Sequence, residues 1–161
     1  MEDMSVWAGP AVPPTPEELA DQHAIGHLAK VYSLGLDMRN YDLARTAFAD
    51  EAIGIGRAGP QPIDDYLKGT YEVASSFHST QHLIAQQLIH VSGDEAVMWS
   101  YGIAHHKRDT GDAADEIIAG VQYRDKCRRY PQGWLITERS VFMQWMDMAP
   151  SQAALTAKLG K

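Results

Sequence analysis

The chain has 161 residues, of which 45% are hydrophobic and 22% charged, and its formal net charge is −7 at neutral pH. That length and composition suit one folded domain with its own core and are too apolar for a disordered chain. The acidic balance opposes contact with a phosphate backbone, so nucleic acid is not an expected partner. The opening stretch, residues 1–14, is rich in proline and small residues and reads as an extended arm,. It has no basic start followed by an apolar run, so a secretory signal is not expected. No apolar run approaches the roughly 18 residues of a membrane span, and a cytoplasmic protein without a membrane partner is the expectation.

The folded domain is expected over residues 15–149. Thr15, Pro16 and Glu18 form a helix-start signature of hydroxyl cap, first-turn proline and an acid that reaches back,. The helix should run to about Leu36, with Ile25, Leu28, Ala29, Tyr32 and Leu36 on the apolar stripe and Gln22, His23 and Lys30 toward solvent,. "NYDLARTAFADEA" reads as a second, short helix, "IGIGRAGPQP" as a short strand and turn, and "IDDYLKGTYEVASS" as a third helix,. From His82 the period changes to two, and "HLIAQQLIHV", "GDEAVMWSYGIAHHKRD", "DEIIAGVQYRDKCRRY" and "GWLITERSVFMQWMDM" read as long strands of an antiparallel meander,. Residues 150–161 read as a tail or short helix. Helices first and strands second predict an α+β fold, a cone in which a curved antiparallel sheet wraps the N-terminal helices around an internal, mostly apolar pocket.

Several residues could carry chemistry there. Cys127 is the single cysteine, which excludes an intrachain disulfide and a cysteine-rich metal site, and its charged neighbours predict exposure,. His78 and His82 straddle a loop and a strand, unlike zinc ligands four apart on a helix, so no metal is expected and His78 is placed at the pocket rim. Alternation puts Ile84, Gln86, Leu88 and His90 on the His82 face, and Leu83, Ala85, Gln87 and Ile89 on the other. Both faces are half apolar, so alternation does not choose the inward one. Arg139 shares a face with Leu135, Val141, Met143 and Trp145, where an unpaired guanidinium would be costly. It should meet an acid such as Asp37 or a substrate oxygen. Tyr32 is either a core tyrosine or a hydroxyl donor. Trp99, Tyr101 and His105 form a bulky row with Val97 and Ile103, opposite the small residues Ala96, Ser100, Gly102 and Ala104. The bulky row reads as core packing, and Trp99, Tyr101 and His105, with Phe142, are also the candidate substrate contacts.

The element order, with "VYSLGLDMRNYDLARTAFAD", "FHSTQH", "AVMWSYGIAHH" and "GWLITER", resembles the SnoaL-like branch of the nuclear transport factor 2-like superfamily over roughly residues 17–147. That branch includes scytalone dehydratase, bile acid 7α-dehydratase and hexachlorocyclohexane dehydrochlorinase, cofactor-free trimeric lyases that pair an aspartate with a histidine. The resemblance implies that Asp37 and His82 form such a dyad, with Tyr32 and Arg139 as further catalytic residues. It also implies a homotrimer without a cofactor. The expected reaction is a dehydratase-type elimination or related C–C cleavage on a hydroxylated aromatic, polyketide or steroid-like compound; an isomerase, a dehydrohalogenase and a non-catalytic ligand-binding or assembly domain are the alternatives. A carboxylate on one imidazole nitrogen would fix the tautomer and leave the other nitrogen to remove a proton.

Overall fold

A computed structural model describes residues 4–109 and 114–149. After a single 3-10 turn at Met4–Trp7, the elements are α1 (Pro16–Asp37), α2 (Tyr41–Arg45), β1 (Phe48–Gly56), β2 (Gly59–Pro62), α3 (Ile63–Ser75), β3 (Ser79–Ser92), β4 (Glu95–Asp109), β5 (Ala114–Tyr130) and β6 (Gly133–Ala149). The proposed tail at 150–161 lies outside the described residues. The fold is α+β, a curved open sheet of six strands in the order β2-β1-β6-β5-β4-β3 with three helices. Every neighbouring pair is antiparallel except β1 and β6, which run parallel.

α1 begins with a capping box: the Thr15 hydroxyl accepts from the Glu18 amide, and the Glu18 carboxylate accepts from the Thr15 amide at 2.7 Å,. Its buried stripe is the expected one, Ile25, Leu28, Ala29, Tyr32 and Leu36, and it lies against β3 and β6. α2 is shorter than expected. Helix stops at Arg45, the Thr46 hydroxyl turns back onto the Leu43 carbonyl, and "FADEA" is strand. Pairing of Phe48 with Ile136 of β6, with Phe48, Ala49 and Ala52 buried, outweighs the local helix propensity,.

Bulges set which side chains face inward. In β3 the register shifts between Ile84 and Gln87, so Gln87, Ile89 and Val91 join His82 and Ile84 on the helix side,. Unbroken alternation misassigns the second half of that strand. In β6 shifts opposite Lys126/Cys127 and Gly120/Val121 place Arg139 on the buried side with Ile136, and Met143 and Met146, opposite Val121 and Ala119, on the inner side. Trp145, opposite Gly120, lies on the outer side. β4 turns its small residues inward: Ala96, Ser100 and Ala104 are buried, which makes room for α1. Cys127 is buried at 2% exposure, contrary to the reading from its neighbours, because it alternates with outward Lys126 and Arg128. Asp21, near the start of α1, accepts from Arg129 at 2.6 and 2.9 Å and from the Trp134 indole at 2.9 Å, tying α1 to β5 and β6.

Candidate active site

Asp37 is the last residue of α1, and β3 begins nearby at the same end of the sheet. One carboxylate oxygen of Asp37 lies 2.7 Å from His82 Nδ1 and accepts from the Thr80 hydroxyl at 2.9 Å; the other accepts from the His82 backbone amide at 2.8 Å. Burial works to raise the Asp37 pKa, but the His82 ring, the His82 amide and Thr80 together hold it below the ordinary carboxylate value,. Asp37 is therefore ionised at neutral pH, so a neutral His82 carries its proton on Nδ1 and keeps a lone pair on Nε2. The His82 side chain is 8% exposed and that of Asp37 21%, so the pair is largely shielded from solvent.

A second imidazole, His106, stands edge-on to His82 with ring centroids 5.4 Å apart, and it packs on Phe77 at 4.8 Å. Burial first, then the like charge of His82, lower its pKa, so His106 is neutral at neutral pH. Sequence reasoning gave His106 no role. The available signal was its place on the small-residue face of β4, with Ala104. Strand register sets His82, Ala104, Ala119 and Met146 in one row across the sheet, flanked by the row Ile84, Gly102, Val121 and Met143. Methionines thus share the inner face with the dyad across a floor of small residues.

Tyr32 and Arg139 lie deeper. Arg139 is fully buried and makes two bonds to Asp125, at 2.7 and 2.8 Å, so its acid partner is Asp125 and not Asp37. Its guanidinium packs 4.2 Å from the Tyr32 ring centroid, 4.9 Å from Tyr123 and 5.2 Å from Phe48. Its Nη1 has no hydrogen-bond partner among the described residues. Desolvation raises the Tyr32 pKa, with Arg139 opposing. Tyr66 and Tyr123 complete this buried cluster, and burial raises both of their pKa values.

The structure turns four of the five expected substrate contacts away from the dyad. Trp99, Tyr101 and His105 alternate with inward Ala104 and face the opposite side of the sheet; Phe142 shares that outer side, opposite Gln122 and Tyr101. Arg124 is stacked between Trp99 and Phe142, 4.2 Å from each ring centroid, and His105 pairs with Glu116 at 3.0 Å. His78 is exposed in the loop before β3. For Trp99, Tyr101 and His105 the correction has one cause: the small row of β4 faces inward, which leaves the bulky row outside. Among the described residues no three histidine, cysteine or carboxylate side chains converge as a metal site would need, and no helix is long and apolar enough to cross a membrane.

Residues 17–140 match the model of a SnoaL-like domain. Solved structures with the same fold include the Kfla4162 protein of Kribbella flavida, at 20% identity and a TM-score of 0.73, covering 87% of this chain and 99% of that one. A scytalone dehydratase-like protein of Novosphingobium aromaticivorans is 24% identical with a TM-score of 0.70, covering 81% and 88%. The hexachlorocyclohexane dehydrochlorinase LinA-type3 of Novosphingobium barchaimii is 18% identical with a TM-score of 0.70, covering 84% and 93%. No curated protein sequence matches the chain.

Proposed function

This chain belongs to the SnoaL-like domain family, and from that membership together with the placement of Asp37 and His82 we propose that it is a cofactor-independent lyase. Its central reaction would be elimination of water from a hydroxylated aromatic, polyketide or steroid-like compound. The observation that carries this reading is the 2.7 Å contact between His82 Nδ1 and an Asp37 carboxylate held by two further donors. In this reading His82 Nε2 removes a proton beside a polarised group, while Asp37 fixes the tautomer and stabilises the imidazolium that forms. A base so placed contributes roughly 100-fold to 10,000-fold.

The remaining parts follow from position. Tyr32 precedes Asp37 by five residues on α1, about 7.5 Å along the axis. Its hydroxyl would donate to the substrate oxygen that gains charge, with the buried Arg139 guanidinium behind its ring supplying positive charge,. Neutral His106 would meet the departing group. The apolar body of the substrate would rest on Ala104 and Ala119 against Met143 and Met146. Because every related elimination or double-bond shift also begins with proton removal, the dyad alone does not select among leaving groups.

Oligomerisation belongs to the same proposal. The outer face of the sheet exposes Leu83, Leu88, Val97, Tyr101, Ile103, Phe142 and Trp145, a contiguous apolar surface of the kind that a partner covers. A homotrimer burying that face is the assembly we propose.

The test is a panel of such hydroxylated compounds incubated with the protein and followed by mass spectrometry for loss of water. His82→Ala and Asp37→Asn should abolish any turnover found while circular dichroism stays native. Full activity in either variant would falsify the dyad.

A further inference from the structure

We propose that Arg39 and Thr80 are positioning residues, a two-link chain that holds the Asp37 carboxylate in the orientation His82 requires. The proposal rests on reading Asp37 and His82 as the dyad. Arg39 Nη1 donates to the Thr80 hydroxyl oxygen at 2.7 Å, and that same oxygen lies 2.9 Å from Asp37 Oδ1. A guanidinium has only protons to give and a hydroxyl has one. Once Arg39 occupies a lone pair of the Thr80 oxygen, the hydroxyl proton is left for Asp37. The carboxylate then takes three bonds, from the Thr80 hydroxyl, the His82 ring and the His82 amide, and cannot swing away without breaking a charge-assisted bond,.

The backbone at Arg39 points the same way. α1 ends in the motif that usually recruits glycine: the Asn40 amide bonds the Gly35 carbonyl at 2.8 Å and the Arg39 amide bonds the Leu36 carbonyl at 3.1 Å,. The residue in the left-handed position is Arg39, at φ 55°, the one non-glycine positive φ among the described residues. Glycine would hold that turn without strain but would bring no side chain. Arginine brings a guanidinium that reaches the Leu36 carbonyl at 2.8 Å, the Phe77 carbonyl at 3.3 Å and Thr80, so the helix end and the start of β3 are joined above the dyad. The Tyr71 hydroxyl donates to the Arg39 carbonyl at 3.0 Å and steadies the turn from α3.

The test reads the His82 Nδ1 proton by NMR on the full chain with labelled histidine, measuring its exchange with solvent at neutral pH. In the natural protein this proton should be protected. Thr80→Val, which keeps the shape and removes the hydroxyl, and Arg39→Gly, which suits the left-handed turn, should each speed its exchange by about tenfold or more, as expected for loss of a charge-assisted bond. Thr80→Ser should restore protection. Unchanged exchange in both variants, or an unprotected proton in the natural protein, overturns the proposal. A change in Arg39→Gly alone overturns the chain, because Thr80 is its only link, and a change in Thr80→Val alone removes Arg39 from it. No turnover enters this measurement. Failure on every candidate substrate would therefore end the lyase reading without touching the chain, and unchanged exchange would end the chain while leaving the lyase reading.

Discussion

Removing the carboxylate from the deepest ion pair, by Asp125→Leu, should destabilise the protein by about 3–5 kcal/mol, because it leaves the Arg139 cation buried without a counter-charge. Both side chains are 0% exposed, the bonds are 2.7 and 2.8 Å, and the guanidinium is enclosed by Tyr32, Tyr123 and Phe48, so water cannot take over. Against a typical total of about 5–15 kcal/mol this is a large fraction, and it corresponds to a fall in melting temperature of about 6–20 °C for a domain of this size. The assay is urea unfolding followed by tryptophan fluorescence, with two comparisons. Lys126→Met breaks the exposed Lys126–Glu138 pair, 2.9 Å long with side chains 64% and 34% exposed, and should cost under about 1 kcal/mol,. The double variant Asp125→Leu/Arg139→Met removes both charges and should recover most of the loss. If Asp125→Leu costs no more than Lys126→Met, the desolvation reasoning is wrong. The double variant also isolates the chemistry: a recovered fold without turnover gives the guanidinium a part in the reaction, and recovered turnover leaves it structural.

Acid should destabilise the protein in two windows. His106 has a folded pKa below its ordinary 6.5, so the unfolded chain takes up the proton first and stability falls as pH drops below about 6.5,. Asp37 contributes stabilisation that is fully present above its unfolded value of 3.8 and is lost as pH falls through its lower folded one, which makes the second window,. Denaturation midpoints against pH should show both, and His106→Phe should remove the first. Gly54→Ala should cost about 1–3 kcal/mol, since an added Cβ would lie 2.2 Å from the Tyr66 ring and push it out of the buried tyrosine cluster,; an unchanged thermal melt would contradict this. Ala119→Leu should fill the floor between His82 and Met146 and raise KM about tenfold or more with the Nδ1 proton of His82 still protected,; unaltered KM would move the substrate elsewhere. Ile103→Lys on the outer face should convert the proposed trimer to monomer on sizing, and an elution volume equal to that of the natural protein would exclude that face as the interface.

The helix stripe of α1, its capping box, α3 and the four long strands were legible because each depends on local spacing. The limit of "NYDLARTAFADEA" was not, since Phe48 is drawn into strand by Ile136, nearly ninety residues away. Faces failed for a related reason. Period two tells which residues travel together, but a bulge resets the count, and three of them separate the first half of β3 from the second and Arg139 from its expected row. The bulky side of β4 was taken for core because size usually means burial. Here helix α1 needs the thin side, and Trp99, Tyr101 and Ile103 are left outside.

Where the local rules break together, the proposed site sits. An acid in the last turn of a helix is opposed by the negative end of the macrodipole, and α1 has no basic residue in that turn to answer it. A non-glycine residue in the left-handed turn that follows costs about 1–2 kcal/mol. Asp37 and Arg39 violate these rules two residues apart, and each violation is offset by atoms from β3 or the loop that leads into it: the His82 amide and ring and the Thr80 hydroxyl for the first, Thr80 and the Phe77 carbonyl for the second. A helix end optimised for stability alone would carry a basic residue and then glycine. The observed "DMRN" supports the proposal that the carboxylate is wanted in that place, with a histidine across from it.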